Sequence, residues 1–234
     1  MASSQYYHLT ATATDYSAYL SAVDGPADMS QDSVTMAMWI NMVSVGDNPI
    51  FAGIGVSTNS GHQNWITMLA SKKFRYDVKS TGQTSIDSVL TYDLDTWYFI
   101  TTVSYANNDH RLFVDGIEVA NSTATKTYTL TPNRWAIGRN AGSSNFTEDN
   151  DGYIAYPQFF DRGLSVEEIN EIMHKPYSIG KGLVWAPDML VNSPSVVGDI
   201  KDLGPGGFDC NDGTIPTSQS TLGPPVYFPE IIEN

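Results

Sequence analysis

The stretch that decides the fold is WYFITTVSYANNDHRLFVDGIEVAN, residues 97–121. Its first half alternates at period two, so that every second residue from Trp97 to Tyr105 lies on one face of a strand and the residues between them lie on the other. Both faces are largely apolar or small, which is typical of a strand with a packed layer on each side. The pattern therefore predicts a central strand of a sheet.

A tight hairpin is predicted directly after this strand. Asp115-Gly116 is a two-residue turn of the kind that needs positive φ, and apolar residues alternate on both sides of it. Pairing across this turn would put four aliphatic side chains on one face, with Val114 opposite Ile117 and Leu112 opposite Val119. The other face would carry Arg111, Phe113, Glu118 and Ala120. A slip of one residue would expose the four aliphatic side chains, so the turn sets the register.

Composition bounds the class of protein. The 234 residues are 41% hydrophobic and 12% aromatic, enough for one large all-β domain or two small ones. The net charge of -14 argues against a nucleic-acid surface, which needs clustered Lys and Arg, and against binding to anionic membranes. The charge can also serve solubility alone. Cys210 is the single cysteine, so no internal disulfide is expected.

The rest of the chain predicts a sandwich with one helix and a tail. About a dozen short strands at regular spacing favour an all-β, two-sheet antiparallel jelly-roll sandwich. The one helix spans 165–175, where Ser165 and Glu168 form a capping box and Pro176 follows the last turn. We predict a jelly roll over 1–182 and an extended C-terminal arm over 183–234. Isolated apolar residues in the arm indicate packing on the body or on a neighbouring subunit.

Three segments resemble laminin-G-like domains of the concanavalin A-like lectin/glucanase jelly rolls. They are SVTMAMWI at 33–40, the strand and hairpin at 97–120, and DGYIAYPQFFDRGLSVEEINEIM at 151–173. The arm, with DIKDLGPGG at 199–207 and GPPVYF at 223–228, is similar to tails that follow such domains in bacterial-virus proteins. The resemblance covers roughly residues 5–183. It implies a fold but no particular function, because this fold hosts lectins, hydrolases and scaffolds alike.

One predicted site is for carbohydrate. Lectin-like sites need an aromatic platform and neutral hydrogen-bonding groups at the edge of a loop. A polar loop that ends in a tryptophan offers such a set: Asn59, His62, Gln63, Asn64 and Trp65. The alternative is that Trp65 belongs to the core and the other residues belong to an ordinary loop.

The second predicted site is for calcium. Glu148, Asp149, Asn150 and Asp151 supply the hard oxygen ligands that calcium prefers. The resemblance adds that some family members hold calcium in loops at the rim of the sandwich. The alternative is a solvated loop. The four histidines lack the spacing of metal ligands, so zinc is not expected.

Enzymatic activity is not predicted. Glycosidases on this fold resemble one another in an E-x-D-x-x-E strand that places two carboxylates, and this sequence has no such strand. The first residues also lack the basic and apolar regions of a signal peptide. These features predict a non-enzymatic protein of the virion surface, such as a capsid decoration or fibre component, made in the host cytoplasm. A free lectin, with or without calcium, is the second hypothesis, and a glycoside hydrolase is the third.

The predicted partners follow from these hypotheses. The arm would contact other virion proteins or copies of this chain, which implies a homo-oligomer, and the rims would contact cell-surface glycans. No nucleic-acid or membrane partner is expected.

Overall fold

The computed structural model describes most of the chain. The described residues are 7–9, 19–23, 32–46, 49–56, 59–80, 82–128, 130–138, 141, 150–188, 200–210, 212–214 and 224. Only the backbone is described for 7–9, 19–23, 59–62, 150 and 212–214.

Within these residues the chain forms fourteen strands and one helix. In chain order they are β1 (Tyr7–Leu9), β2 (Tyr19–Val23), β3 (Val34–Val45), β4 (Ile50–Val56), β5 (Asn59–Met68), β6 (Phe74–Lys79), β7 (Gln83–Asp87), β8 (Trp97–Ala106), β9 (Asp109–Val114), β10 (Ile117–Ser122), β11 (Arg134–Ile137), β12 (Asn150–Phe160), α1 (Val166–His174), β13 (Leu183–Trp185) and β14 (Asp212–Thr214).

The strands form two seven-stranded sheets. Sheet 1 has the order β1-β12-β3-β8-β9-β10, with β13 also paired to β12, and sheet 2 has the order β14-β2-β11-β4-β5-β6-β7. The strand pairs are antiparallel. This architecture confirms the predicted all-β, two-sheet antiparallel jelly-roll sandwich.

Strand β8 lies in the middle of sheet 1, as its alternation predicted. It pairs with β3 on one side and with β9 on the other. Phe99 and Val103 face the layer that contains α1, whereas Ile100 faces sheet 2. Both faces of β8 are therefore packed, and none of its residues is charged.

The hairpin between β9 and β10 is confirmed in its turn and in its first predicted pair, Val114 opposite Ile117, and its predicted register is wrong beyond that pair. Asp115 and Gly116 have φ of 51° and 76°, as the two-residue turn requires. A bulge after Glu118 then pairs Leu112 with Ala120, where the sequence had predicted Val119. A bulge inserts one extra residue into one strand, and the alternation of side chains cannot reveal it.

The core between the two sheets is dominated by large apolar side chains. Sheet 1 supplies Met36, Met38, Ile40, Ile100, Leu112 and Phe159, and sheet 2 supplies Phe51, Ile66, Phe74, Tyr76, Val78 and Trp135. A second apolar layer covers the outer face of sheet 1, where Ile169 and Ile172 of α1 pack with Trp39 and Phe99.

The helix α1 has the predicted caps. The Ser165 side chain accepts a hydrogen bond from the backbone N–H of Glu168, and the Glu168 side chain accepts one from the backbone of Ser165. Ile169, Ile172 and Met173 are its buried side chains. Within the part of the chain that the structure describes, no helix has the length and hydrophobicity needed to span a membrane.

The described part of the arm lies on the body of the same chain. Strand β13 pairs with β12, and β14 pairs with β2. Between them, the carboxylate of Asp202 accepts hydrogen bonds from the backbone N–H groups of Ala186, Gly204 and Phe208 at 2.9, 2.7 and 2.8 Å. One acidic side chain therefore organises the loop between the two strands and holds it against the sandwich.

Candidate functional site

The predicted sugar set lies on a strand, and the prediction of a loop there was wrong. Strand β5 begins at Asn59, and its pairing with β4 and β6 continues through Trp65. The side chains of Asn59 and His62 lie outside the described residues. Successive side chains of a strand point to opposite faces, so the set is divided between two faces of sheet 2.

Asn64 points into the space between the sheets. It is fully buried, accepts a hydrogen bond from the hydroxyl of Tyr128 at 2.7 Å, and donates one to the hydroxyl of Tyr76 at 3.2 Å. A ligand at the surface cannot reach it. The reason is register: Ile66, two residues along, is a core residue, and Asn64 shares its face.

Asn64 begins a buried chain of hydrogen bonds that crosses from sheet 2 to sheet 1. The Tyr76 hydroxyl lies 2.8 Å from Ser104 Oγ, which lies 2.8 Å from His110 Nδ1. His110 Nε2 lies 3.2 Å from the carbonyl oxygen of Asn107 and must donate to it. A neutral imidazole then has an acceptor at Nδ1, so Ser104 donates to His110 and Tyr76 donates to Ser104.

This chain requires a neutral His110, and burial lowers the pKa of its imidazole. The carbonyls of Asn107 and Ala124 and the carboxylate of Asp109 oppose this shift, whereas Lys126 adds to it. An unfolded chain therefore takes up a proton before the folded chain does as pH falls. The stability that neutral His110 contributes is complete above about pH 6.5 and is lost as pH falls through the lowered folded pKa.

We therefore expect His110→Gln to flatten the pH dependence of stability. The free energy of unfolding of the unaltered protein should fall between pH 7 and pH 5, and that of the variant should fall less. Urea denaturation at several pH values measures both slopes. Equal slopes would show that His110 titrates as it does in an unfolded chain.

Gln63 and Trp65 point away from the core, on the outer face of sheet 2. Trp65 is paired with Asp77, which accepts hydrogen bonds from Gln83 Nε2 at 2.8 Å and from Ser85 Oγ. Burial raises the pKa of the Asp77 carboxyl. Trp65 is only 9% exposed and Gln63 only 4% exposed, so little of this platform is open to a ligand.

The structure describes only part of the predicted calcium site. Glu148 and Asp149 lie outside the described residues, and Asn150 is described by its backbone alone, at the start of β12. The Asp151 carboxylate accepts a hydrogen bond from Ser44 Oγ at 2.9 Å across the β3–β12 pair. No group of three acidic, histidine or cysteine side chains suited to a metal ion occurs among the described residues. Calcium binding at residues 148–151 stays a prediction.

A polar cleft of about 380 Å³ lies on the β9–β10 hairpin, and we call it the outer cleft. Its volume falls in the range of about 300–1,000 Å³ that is usual for small-ligand sites. The lining residues all carry hydrogen-bonding side chains: Asn108, Asp109, Arg111, Glu118, Asn121, Ser122 and Thr123. Strands β9 and β10 supply most of them, and Asp109 and Arg111 share a face because residues two apart on a strand do so.

Arg111 organises the outer cleft. Its Nε and Nη2 donate to the two carboxylate oxygens of Asp109 at 2.8 and 2.9 Å, and its Nη1 donates to Glu118 Oε2 at 3.1 Å. Asn121 Nδ2 donates to the other Glu118 oxygen at 2.7 Å. The guanidinium also lies 5.0 Å from the ring centre of Tyr105. These contacts hold the polar side chains in place before a ligand arrives.

Electrostatics keep Asp109 ionised. The hydrogen bonds from Arg111 hold the pKa of the Asp109 carboxyl below its usual range, and the same contacts raise the pKa of Arg111. An ionised carboxylate is a pure acceptor that suits the hydroxyl groups of a ligand. The lowered pKa is the reverse of what a general acid of glycoside hydrolysis needs.

Sequence reasoning placed Arg111 and Glu118 on one face of the hairpin but did not recognise a site there. The available signal was the run Asn107-Asn108-Asp109 followed by Arg111, and by Asn121, Ser122 and Thr123 after the second strand. Such polar runs also occur in ordinary hairpins, so only the contacts of Arg111 with Asp109, Glu118 and Tyr105 distinguish this hairpin.

The fold and these surfaces define a lectin-like β-sandwich, and the comparison with protein families agrees. Residues 4–170 match the Laminin_G_3 model of the concanavalin A-like lectin/glucanases superfamily, so the chain belongs to that superfamily. This confirms the resemblance on which the sequence analysis relied. A search of the curated proteins found no match.

Solved structures of the same fold are distant in sequence. A candidate carbohydrate-binding protein from Bacteroides ovatus aligns with 14% identity and a TM-score of 0.70, over 96% of this chain and 61% of its own. The heptameric SAP-like pentraxin from Limulus polyphemus aligns with 12% identity and a TM-score of 0.59, over 73% of this chain and 82% of its own. The CBM40 of the Ruminococcus gnavus IT-sialidase, bound to α2,3-sialyllactose, aligns with 12% identity and a TM-score of 0.54, over 72% of this chain and 97% of its own. At such identities the similarity shows the fold alone.

Proposed function

We propose that this chain is a glycan-binding module without catalytic activity and that the outer cleft is its sugar site. The observation that carries the proposal is the lining of the cleft, in which every side chain can form hydrogen bonds and Arg111 holds two carboxylates in fixed positions. Sugar hydroxyl groups are donors and acceptors at once, and carboxylates and amides match them in both roles. The folds of the Bacteroides and Ruminococcus proteins support the proposal.

The proposed site can be tested with Asn121→Ala. Asn121 is exposed and its amide donates to Glu118 at the surface, where water can replace it, so the fold should tolerate the change. We expect binding on a glycan array and, for Asn121→Ala, a loss of affinity of about tenfold or more. Asn170→Ala on α1 is the matched control, because Asn170 is also exposed and lies on a different element. An array without any bound glycan would refute the proposal.

One further variant distinguishes the outer cleft from a second candidate sugar surface, the outer face of sheet 2. Gln83 is exposed on the outer face of sheet 2, beside Asp77, and its side chain is part of the surface that contains Trp65. If Gln83→Ala weakens binding and Asn121→Ala does not, the sugar site lies on the outer face of sheet 2, which carries Gln63 and Trp65 of the predicted set. If only Asn121→Ala weakens binding, it is the outer cleft.

Calcium remains a proposal at residues 148–151, supported by the oxygen ligands that the sequence supplies there. Calcium that binds only the folded state raises the melting temperature by mass action. We propose that millimolar calcium stabilises the protein and that changing Glu148 and Asp149 to Ala together abolishes the effect. An unchanged melting temperature in the unaltered protein would remove the proposal.

The virion surface role is a second proposed function, supported by the similarity of the arm to tails in bacterial-virus proteins. The described part of the arm packs on its own chain, which limits the residues through which such a protein could assemble. Trp185 and Ile200 are fully buried in their own chain and cannot anchor a partner, and Phe208 packs beside them. Contacts with other virion proteins or with copies of this chain would use other residues. Mass spectrometry of purified particles tests this role, and particles that lack the protein would exclude it.

A further inference from the structure

We infer that the outer cleft selects neutral sugars and discriminates against sugars that carry a carboxylate or sulfate group. The inference rests on the proposed function and adds the class of ligand. It depends on the balance of charge in the cleft and on the way in which the single cation there is already engaged.

The charged groups of the cleft carry a net negative charge. The lining contains two carboxylates, Asp109 and Glu118, and one guanidinium, Arg111, while its other residues are uncharged. About a third of each of these charged side chains is exposed, so a ligand in the cleft would be close to them. An anionic ligand would meet a like charge that the guanidinium does not offset, and such juxtaposition is costly.

Arg111 has little capacity left for an anion. A guanidinium has five N–H donors in a planar fork, and it binds a carboxylate best through two of them side by side. Asp109 already occupies the Nε–Nη2 edge, and Glu118 occupies a donor of Nη1. One donor on Nη1 and one on Nη2 remain, so an acidic sugar would have to share a guanidinium that already serves two carboxylates.

The orientation of Arg111 is also held from the side. The ring of Tyr105 lies beside the guanidinium, and the Tyr105 hydroxyl donates to the carbonyl oxygen of Leu164 at 2.6 Å, just before α1. Turning the guanidinium toward an anion would break its contacts with Tyr105 and with both carboxylates. Neutral sugars need no such change, because their hydroxyl groups donate directly to the carboxylate oxygens that line the cleft.

The experiment compares two oligosaccharides that differ in one sugar. One is a neutral oligosaccharide that binds on the array, and the other is the same molecule extended with a terminal sugar that carries a carboxylate. Isothermal titration should give an affinity at least about tenfold higher for the neutral one at low salt. Added salt should narrow the difference, because it screens the repulsion.

Glu118→Gln tests the cause. The substitution removes one negative charge and leaves one oxygen in place of the two that accept from Arg111 and Asn121. The preference for the neutral oligosaccharide should therefore fall about threefold or more. Glu171→Gln, at an exposed position on α1, changes the net charge by the same amount and should leave the preference unchanged. If the Glu118→Gln variant prefers the neutral oligosaccharide as strongly as the unaltered protein does, the role given to the cleft charges is refuted.

The outcomes separate the two proposals. If no glycan on the array binds, the proposed function fails, and the inference fails with it. If both bind equally, or the acidic one binds more tightly, the selectivity is refuted and glycan binding stands. If the neutral one binds preferentially and Glu118→Gln reduces that preference, the inference is supported.

Discussion

Trp185→Ala should lower the free energy of unfolding by about 3–5 kcal/mol. Trp185 belongs to the segment that the sequence predicts to be an arm, yet its side chain is 0% exposed. Its ring centre lies 5.0 Å from that of Phe159 and 6.5 Å from that of Trp135, one residue from each sheet. Removing the indole would leave a cavity between these rings that the strands cannot close. Denaturation in urea measures the change.

Leu203→Ala is the control for this experiment. Leu203 lies in the same arm but is 44% exposed, so its truncation should change the free energy of unfolding by no more than about 0.5 kcal/mol. A small effect for Trp185→Ala, similar to that of Leu203→Ala, would mean that the arm is dispensable to the sandwich. A large effect would mean that the arm stabilises the sandwich. A protein truncated before residue 183 would then lose stability as well as any contacts that the arm makes with partners.

Tyr76→Phe should cost about 1–3 kcal/mol although it removes a single oxygen atom. The Tyr76 hydroxyl is fully buried, accepts from Asn64 at 3.2 Å and is 2.8 Å from Ser104 Oγ. Burial also raises its pKa, so it remains a neutral donor at ordinary pH. Without this hydroxyl, one donor of Asn64 and one acceptor of Ser104 would lose their partners in a place that water does not reach.

Tyr98→Phe provides the matched control. The Tyr98 hydroxyl accepts a hydrogen bond from the backbone N–H of Asp93 at 3.1 Å in an exposed setting, where water can replace it. We expect a change within about 0.5 kcal/mol. If the two substitutions have equal effects, the buried chain of hydrogen bonds adds nothing to the stability of the sandwich beyond an ordinary surface contact.

The second of these predictions concerns a part of the molecule that adjoins the proposed site. The buried chain ends at His110, which lies between Asp109 and Arg111 of the outer cleft. Because neighbouring residues of a strand point to opposite faces, β9 presents His110 to the interior and Asp109 and Arg111 to the cleft. A variant that disrupts His110 should therefore be checked for glycan binding as well as for stability.

The sequence by itself determined several elements of the fold. Period-two alternation identified β8 as a central strand, Asp115-Gly116 specified the turn, and Ser165 with Glu168 specified the start of α1. These signals are local: each depends on the backbone preference or side-chain direction of a few neighbouring residues. Family resemblance in the same segments then identified the superfamily.

Tertiary structure alone decided which surface each polar residue serves. Asn64 and Trp65 are neighbours in the sequence, but one completes a buried hydrogen-bond chain and the other lies on the outer face of sheet 2. The bulge after Glu118 and the burial of Trp185 were equally invisible in the chain. The physical reason is that register, bulges and the packing of one sheet on another depend on contacts between residues far apart in sequence, and no local pattern encodes them.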